Sequence, residues 1–479
     1  VPVSDYQPVI GLEVHAQLLT RTKIFCGCST AFGAPPNHHT CPVCLGMPGV
    51  LPVLNRRVVE LAVRTGLALG CEIRPLSVWS RKNYFYPDLP KGYQITQYDQ
   101  PICEHGKVEV ETGAGARQVR IRRIHMEEDA GKSVHDAAAG QSLVDLNRAG
   151  VPLLEIVSEP DLRSAEEAAE YLRTLRDILV AIDVNDGNLE EGSFRCDANV
   201  SLSRKGDSKL GTRAELKNIN SFRFVRQAID FEIARQAEVL DAGKAVVQET
   251  RLWDADRGET RTMRSKEEAH DYRYFPEPDL PPLRLDASFI EGIRQEVPEL
   301  PRARVKRFAE QYGLPASDAK ILCADRALAD FFEASAKHYR DAKKLANWFL
   351  GELLRLQKDA GTPVSGWKLT PAQLAELLTE VERGTISANA GKDVLGEMFR
   401  TGKAPAAIIV EKGLAQVSDD GALEAAVNEV LARCANEVTS YRAGKTQVLG
   451  FLVGQVMRGM KGKGNPQRIN EILRKKLAG

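Results

Sequence analysis

Cys26, Cys28, Cys41 and Cys44 stand as C-x-C, a loop of twelve residues, then C-x-x-C. Two close cysteine pairs joined by a short loop can converge on one tetrahedral ion, and four thiolates at this spacing suit structural zinc. Gly27, Pro42 and Gly46 permit the sharp turns each pair requires, and Asn37, His38, His39 and Thr40 make a polar hairpin tip. The alternative is a set of ordinary free thiols. With nine cysteines in 479 residues, four of them inside nineteen positions weigh against it. A closed four-sulfur site holds backbone together and leaves no open position for chemistry. Any activity has to be sought elsewhere in the chain.

A chain of this length accommodates roughly two to four domains of ~100–200 residues. Lys and Arg balance Asp and Glu at 65 each, so total charge points to neither a nucleic acid nor a membrane. Local charge is less even. Leu153 to Asp197 carries twelve acidic and four basic residues, whereas Ala435 to Gly479 carries two acidic and nine basic. Opposed patches of this kind suit a metal at one end and a polyanion at the other. No apolar run reaches the ~18 residues of a membrane helix, and the first residues lack the pattern of a signal peptide. An odd cysteine count with a metal-like cluster fits a reducing compartment. The expectation is a cytoplasmic protein with no membrane partner.

Residues 1–293 read as mixed α and β. Val9 to Leu18 and Val119 to Met126 are rich in β-branched residues and partly alternate, as strands do. Ser164 and Glu167 have capping-box spacing ahead of an apolar face of Tyr171, Leu172, Leu175, Ile178, Leu179 and Ile182. A second helix is expected from Ser221 through Leu240, and the proline-rich Tyr274 to Pro282 reads as an extended loop. After Pro301 helix follows helix, with Thr370-Pro371 and Ser418 to Gly421 as starts. The fold class is therefore α+β, divided as 1–293, a helical domain at 294–405 and a helical tail at 406–479.

Three clusters carry chemistry. Glu13 and His15 lie two apart in the first strand, on one face about ~7 Å apart. His125, Glu127, Glu128 and Asp129 end a strand otherwise rich in arginine, and Glu155 sits among apolar residues, where a carboxylate is costly unless paired or ligating. Carboxylates and an imidazole from several strands suit magnesium with nucleotide phosphates completing the shell. The competing reading of each residue is a solvated face or an ion pair with Arg122 or Arg123. Gly131-Lys132-Ser133 and Gly444-Lys445-Thr446 resemble the end of a phosphate-binding loop, but Met126 and Thr439 replace its leading glycine. The strings Arg81 to Asp88 and Asp271 to Pro276 mix bases with aromatics, suited equally to stacking on a nucleotide and to the packed rim of a cleft.

Together, Val9 to His15, Arg81 to Asp88, His125 to Ser133, Leu143 to Asp161, Glu190 to Leu202, Ala214 to Phe222 and Asp271 to Asp279 resemble the B subunit of the tRNA-dependent amidotransferases. The likeness runs on to Gly450 to Gln455 and Asn465-Pro466 near the end. It implies a catalytic cradle domain related to glutamine synthetase, a helical domain and a small YqeY-like helical tail. It also implies ATP-dependent amidation of misacylated Asp-tRNA(Asn) or Glu-tRNA(Gln): Mg-ATP phosphorylates the side-chain carboxylate and ammonia displaces the phosphate. By the same resemblance the magnesium ligands are Glu13, His15, Glu128 and Glu155, with Glu127 adjacent and Lys82 offsetting charge. The implied partners are a glutaminase of the amidase type (the A subunit), a small C subunit, misacylated tRNA and, as a further candidate, a non-discriminating aminoacyl-tRNA synthetase. Some family members lack the four cysteines, so zinc is expected to be structural.

The basic tail is expected to follow the tRNA backbone through Arg442, Lys445, Arg458, Lys461, Lys463 and Arg468. A zinc-dependent nucleic-acid-binding module without catalysis accounts for the cysteines and this tail, but leaves Glu13, Glu128 and Glu155 unexplained. A carboxylate–amine ligase for a small metabolite leaves the tail without a purpose.

Overall fold

A computed structural model describes residues 5–113, 115–136, 140–207, 209–265, 272–416, 420–460 and 464–478. The chain divides into two units, Val1–Leu300 and Pro301–Gly479. The first is built on a twelve-stranded sheet. Its strands are β1 (Tyr6–Gln17), β2 (Glu72–Ile73), β3 (Trp79–Asn83), β4 (Tyr93–Gln97), β5 (Cys103–Thr112) and β6 (Gly115–Glu128). They continue with β7 (Pro152–Ser158), β8 (Phe194–Arg204), β9 (Ala214–Lys217), β10 (Glu249–Asp254), β11 (Glu259–Ser265) and β12 (Phe275–Pro276). The order across the sheet is β11-β10-β9-β8-β1-β7-β6-β4-β3-β12, with β5 paired to β6 and β2 to β5. The central ladders β8-β1-β7-β6 are antiparallel, whereas β9 and β10 run parallel, joined through the helix α3 given below.

Successive side chains on a strand point to opposite faces, and the central strands use both faces fully. Leu12, Val14 and Ala16 of β1, Leu154 and Ile156 of β7, and Ile124 and Met126 of β6 are all essentially inaccessible. They form one core with α1 (Arg56–Ala68), α2 (Ala165–Ala181), α3 (Phe222–Asp241) and α4 (Ala287–Glu296). The intervening residues of the same strands carry the charges described below.

Local signals set most boundaries. The Ser164 side chain accepts from the Glu167 N–H at 3.1 Å, but Glu167 Oε2 accepts from the N–H of Arg163 at 2.7 Å, one residue before the cap. Ser221 caps α3 through the Phe224 N–H at 3.0 Å. The proline-rich stretch is not wholly a loop: Phe275 and Pro276 pair with Arg81 and Ser80 as the sheet's outermost strand. An edge tolerates proline because its missing N–H would face away from the ladder.

In the second unit the helices form two cores. One gathers residues from Phe308 to Ile409, and the other residues from Leu423 to Leu477. A boundary at 293 would cut α4, whose Ile293 belongs to the first core. A boundary at 405 would fall at the start of helix Pro405–Glu411, whose Ile408 and Ile409 pack with the helices before it. Thr370 and Gln373 form the expected capping box. Ser418 lies outside the described residues, and the next described helix begins at Asp420.

A buried polar network ties α3 to β10 and β11. The fully buried Glu232 accepts from Arg235 at 2.6 and 2.9 Å, from Gln236 at 2.7 Å and from Thr260 at 3.3 Å, with Arg251 at 3.4 Å. Removing one member of a buried ion pair leaves an uncompensated charge and costs about 3–5 kcal/mol. Glu232→Ala is expected to destabilise the first unit by that amount, with Glu232→Gln milder, as read by denaturant unfolding.

Candidate active site and metal centres

The register of three strands assembles one charged face. His15 of β1 stands opposite Glu155 of β7, and Glu155 stands opposite His125 of β6. Glu13, two residues before His15, and Glu127, two after His125, share that face by alternation. His15 Nε2 lies 3.6 Å from Glu155, 3.9 Å from Glu127 and 4.0 Å from Glu13. His125 Nε2 lies 3.2 Å from Glu155 and 3.8 Å from Glu127. Neighbouring ligands of a cation at about 2.1 Å stand roughly 3 Å apart and opposed ones roughly 4 Å. The donor set of three carboxylates and two imidazoles therefore fits a hard divalent ion.

The electrostatics follow from this crowding. Burial, reinforced by the Glu155 carboxylate, pushes Glu13 up to about 7. Burial would also raise Glu155, but His125 and His15 hold it well below the usual carboxylate range. Burial disfavours a charged His125, and the carboxylates of Glu155 and Glu127 override it and carry the imidazole up to about 9. Lys82 of β3 is likewise held charged against burial, first by Glu127. Its ammonium lies 5.0 Å from the Tyr272 ring centre and pairs with no carboxylate within 4 Å among the described residues.

Glu128, expected among the magnesium ligands, lies elsewhere. One residue along β6 from Glu127, it faces the other side of the strand, pairs with Lys91 and accepts the Ile95 N–H at 2.8 Å. Together with Lys91 and the cysteines Cys26 and Cys44 it lines a separate cavity of about 210 Å³. Strict alternation along β6 tells Glu127 from Glu128. The same alternation adds His125, which the expected ligand set does not contain.

His15, Lys82, Tyr84, Glu127, Arg195 and Lys217 are among the residues lining a cleft of about 350 Å³. Asp129 anchors its wall, accepting from Arg195 at 3.0 Å on both oxygens and from Gln17 at 2.8 Å. Lys217 Nζ donates to Asp197 at 2.5 Å. Neither Arg195 nor Lys217 stands out in the sequence, because lone bases in strands carry no local signal. The two aromatic-basic strings meet at the rim: Asn83 donates to the Arg273 carbonyl at 2.8 Å, Tyr98 stacks on Tyr274 at 4.0 Å, and Arg81 donates to the buried Glu277 at 2.7 and 2.9 Å.

The cysteine hairpin brings Cys26, Cys28, Cys41 and Cys44 together, with ligand sulfurs all within 4.8 Å of one another. Cys41 Sγ and Cys44 Sγ stand 3.9 Å apart, near the roughly 3.8 Å that tetrahedral zinc at 2.3 Å requires. The Lys23 side chain is completely buried beneath them. Its ammonium donates to the His39 carbonyl at 2.6 Å and lies 3.6 Å from Cys44 Sγ, where it offsets thiolate charge. The hairpin tip is tied down as well: the Asn37 N–H donates to Asp145 at 3.0 Å and the His39 N–H to Asn147 at 2.7 Å.

In the tail, Arg442 ends helix Ala435–Arg442, Lys445 follows in a turn and Arg458 lies on helix Val448–Gly459. All three are exposed. Arg468, on helix Pro466–Ala478, is engaged by Asp420 at 2.7 Å and Glu471 at 2.8 Å. Lys461 and Lys463 lie outside the described residues.

Residues 8–291 match the family model described as the GatB/GatE catalytic domain, and residues 330–477 match that described as the GatB domain. Over its full length the chain is 72% identical to the B subunit of the aspartyl/glutamyl-tRNA(Asn/Gln) amidotransferase of Myxococcus xanthus, with all of both chains covered. The protein of the same name from Anaeromyxobacter sp. strain K is 64% identical, again with both chains fully covered. That from Geotalea daltonii is 58% identical over 99% of this chain and 100% of its own. Two domain models in sequence and end-to-end identity of this depth leave one assignment: the chain belongs to the GatB family of amidotransferase B subunits.

Proposed function

We propose that the chain is the amide-forming component of a glutamine-dependent amidotransferase, converting Asp-tRNA(Asn) or Glu-tRNA(Gln) to the amidated form at the expense of ATP. The observation that carries this reading is the face of Glu13, His15, His125, Glu127 and Glu155, lying beside Lys82 in a chain of that family. A side-chain carboxylate is a poor acyl donor, since its leaving group would be oxide. Its oxygen therefore attacks the γ-phosphorus of ATP, ADP departs, and an acyl phosphate remains. Ammonia attacks the carbonyl carbon, phosphate leaves and a proton is lost to solvent.

Glu13, His15, Glu155 and Glu127 are the residues that would hold magnesium. Bound there, the ion would neutralise charge on the transferred phosphoryl group. Lys82, kept protonated by its acidic neighbours, supplies a fixed positive charge where phosphate oxygens enter. Arg195 is immobilised by Asp129 and offers its remaining edge to an anionic group in the cleft. The tyrosines at the rim shield the acyl phosphate from water.

The relatives are named as one lettered component of an amidotransferase, so the chain is part of a multi-subunit enzyme. We assign the nitrogen supply to an amidase-type A subunit assisted by a small C subunit, a non-discriminating synthetase to the source of mischarged tRNA, and the whole to the cytoplasm. The three-part division of the chain into a catalytic domain, a helical domain and a tRNA-holding tail is part of the same proposal. No helix among the described residues is long and apolar enough to cross a membrane.

Three outcomes are expected. In the assembled enzyme, Glu155→Gln lowers tRNA-dependent ATP cleavage by at least about 100-fold, while glutamine hydrolysis persists at its basal rate; full amidation by the variant refutes the site. Purified protein contains one zinc per chain, and Cys44→Ser lowers both zinc content and thermal stability, as metal analysis and calorimetry will read. Replacing Arg442, Lys445 and Arg458 together by alanine raises KM for aminoacyl-tRNA and flattens its salt dependence, whereas Arg468→Ala does less because Asp420 and Glu471 already engage that side chain.

A further inference from the structure

The charged face contains two overlapping triads. Glu13, His15 and Glu155 each bring a ligand atom within 4.8 Å of the others, and so do His125, Glu127 and Glu155. Glu155 belongs to both. Its Oε2 lies between the two imidazoles, 3.6 Å from His15 Nε2 and 3.2 Å from His125 Nε2. Glu127 straddles the triads in the same manner. Its Oε1 faces His15 at 3.9 Å while its Oε2 faces His125 at 3.8 Å.

A single cation leaves half of this arrangement unexplained. One ion held by Glu13, His15 and Glu155 would leave His125, about 3% exposed, as a second imidazole aimed at carboxylates the ion already uses. A histidine buried for structural reasons is satisfied at both nitrogens. The His125 Nδ1 has no hydrogen-bond partner, so the ring is held by the carboxylates that its Nε2 faces. Four of the five imidazole–carboxylate approaches, at 3.6 to 4.0 Å, are longer than hydrogen bonds and have the spacing of ligands around an ion.

We propose that this face holds two divalent cations, one on Glu13 and His15 and one on His125, bridged by the carboxylates of Glu155 and Glu127. The inference rests on the reading of this face as the phosphoryl-transfer site. Charge favours it there. Three carboxylates, Lys82 and one divalent ion cancel, leaving nothing to attract an anion. A second ion makes the face positive when a nucleotide phosphate and a substrate carboxylate must approach each other despite like charge. Paired ions about 3.5–4 Å apart stabilise both the attacking and the leaving oxygen of an in-line displacement.

Manganese alone, as a spin-active substitute, tests this on the full-length, zinc-replete chain without nucleotide. Equilibrium dialysis should find two manganese ions per chain beyond the hairpin zinc, with an exchange-coupled electron paramagnetic resonance spectrum. His125→Ala should retain one ion and show the uncoupled six-line signal, with zinc content unchanged as the check on folding. His125→Gln, which preserves size and polarity, should behave likewise. One manganese in the wild-type chain overturns the proposal, as does a coupled pair that survives in both variants. Wild-type tRNA-dependent ATP cleavage in the assembled enzyme separates the two claims. Cleavage with a single ion refutes only the paired site, and a coupled pair without cleavage refutes the functional reading.

Discussion

The pairing of β1, β7 and β6 is the constraint on which the rest of the catalytic unit depends. Three antiparallel strands set His15, Glu155 and His125 in a row across one face, while the reverse face buries Val14, Leu154, Ile156, Ile124 and Met126. A one-residue slip would send acids into the apolar core and leucines into the cleft. The hydrophobic face therefore holds the register and, with it, the geometry of the charged face. Buried carboxylates are tolerated because each has an imidazole, a lysine or a hydrogen-bond donor close by.

The same strands explain what is legible without coordinates. Glu13 and His15 are legible because one strand carries both at a spacing of two. Glu155 is legible because it interrupts an apolar run. The choice between Glu127 and Glu128 requires knowing which of two adjacent acids shares a face with His125, and an acidic cluster read as a block conceals that. Arg195 and Lys217 reach the cleft through long-range pairing of β8 and β9, for which no local pattern exists. The cysteine spacing, by contrast, specifies its own geometry, since four thiolates within a short hairpin have few other arrangements.

Boundaries are legible where chemistry marks them. Ser221 and Thr370 cap helices at their positions in sequence, but Glu167 closes its box on the N–H of Arg163, which spacing alone does not distinguish. The division of the second unit follows packing. Ile408 and Ile409 join the helices before them, and a new core begins with Leu423. Apolar periodicity marks helices but not which neighbour each one chooses.

The last core holds few buried side chains, led by Leu423, Val427, Leu452, Val456, Ile469 and Leu473. Its Asp420–Arg468 clasp is solvent-exposed, and such pairs contribute little. A core so small is marginal on its own. Its opening free energy is set separately from that of the sheet, so its amides belong to the first cooperative unit to exchange with solvent. A polyanion lying across that surface would also act as a folding ligand, lending it by mass action the rigidity its own packing lacks.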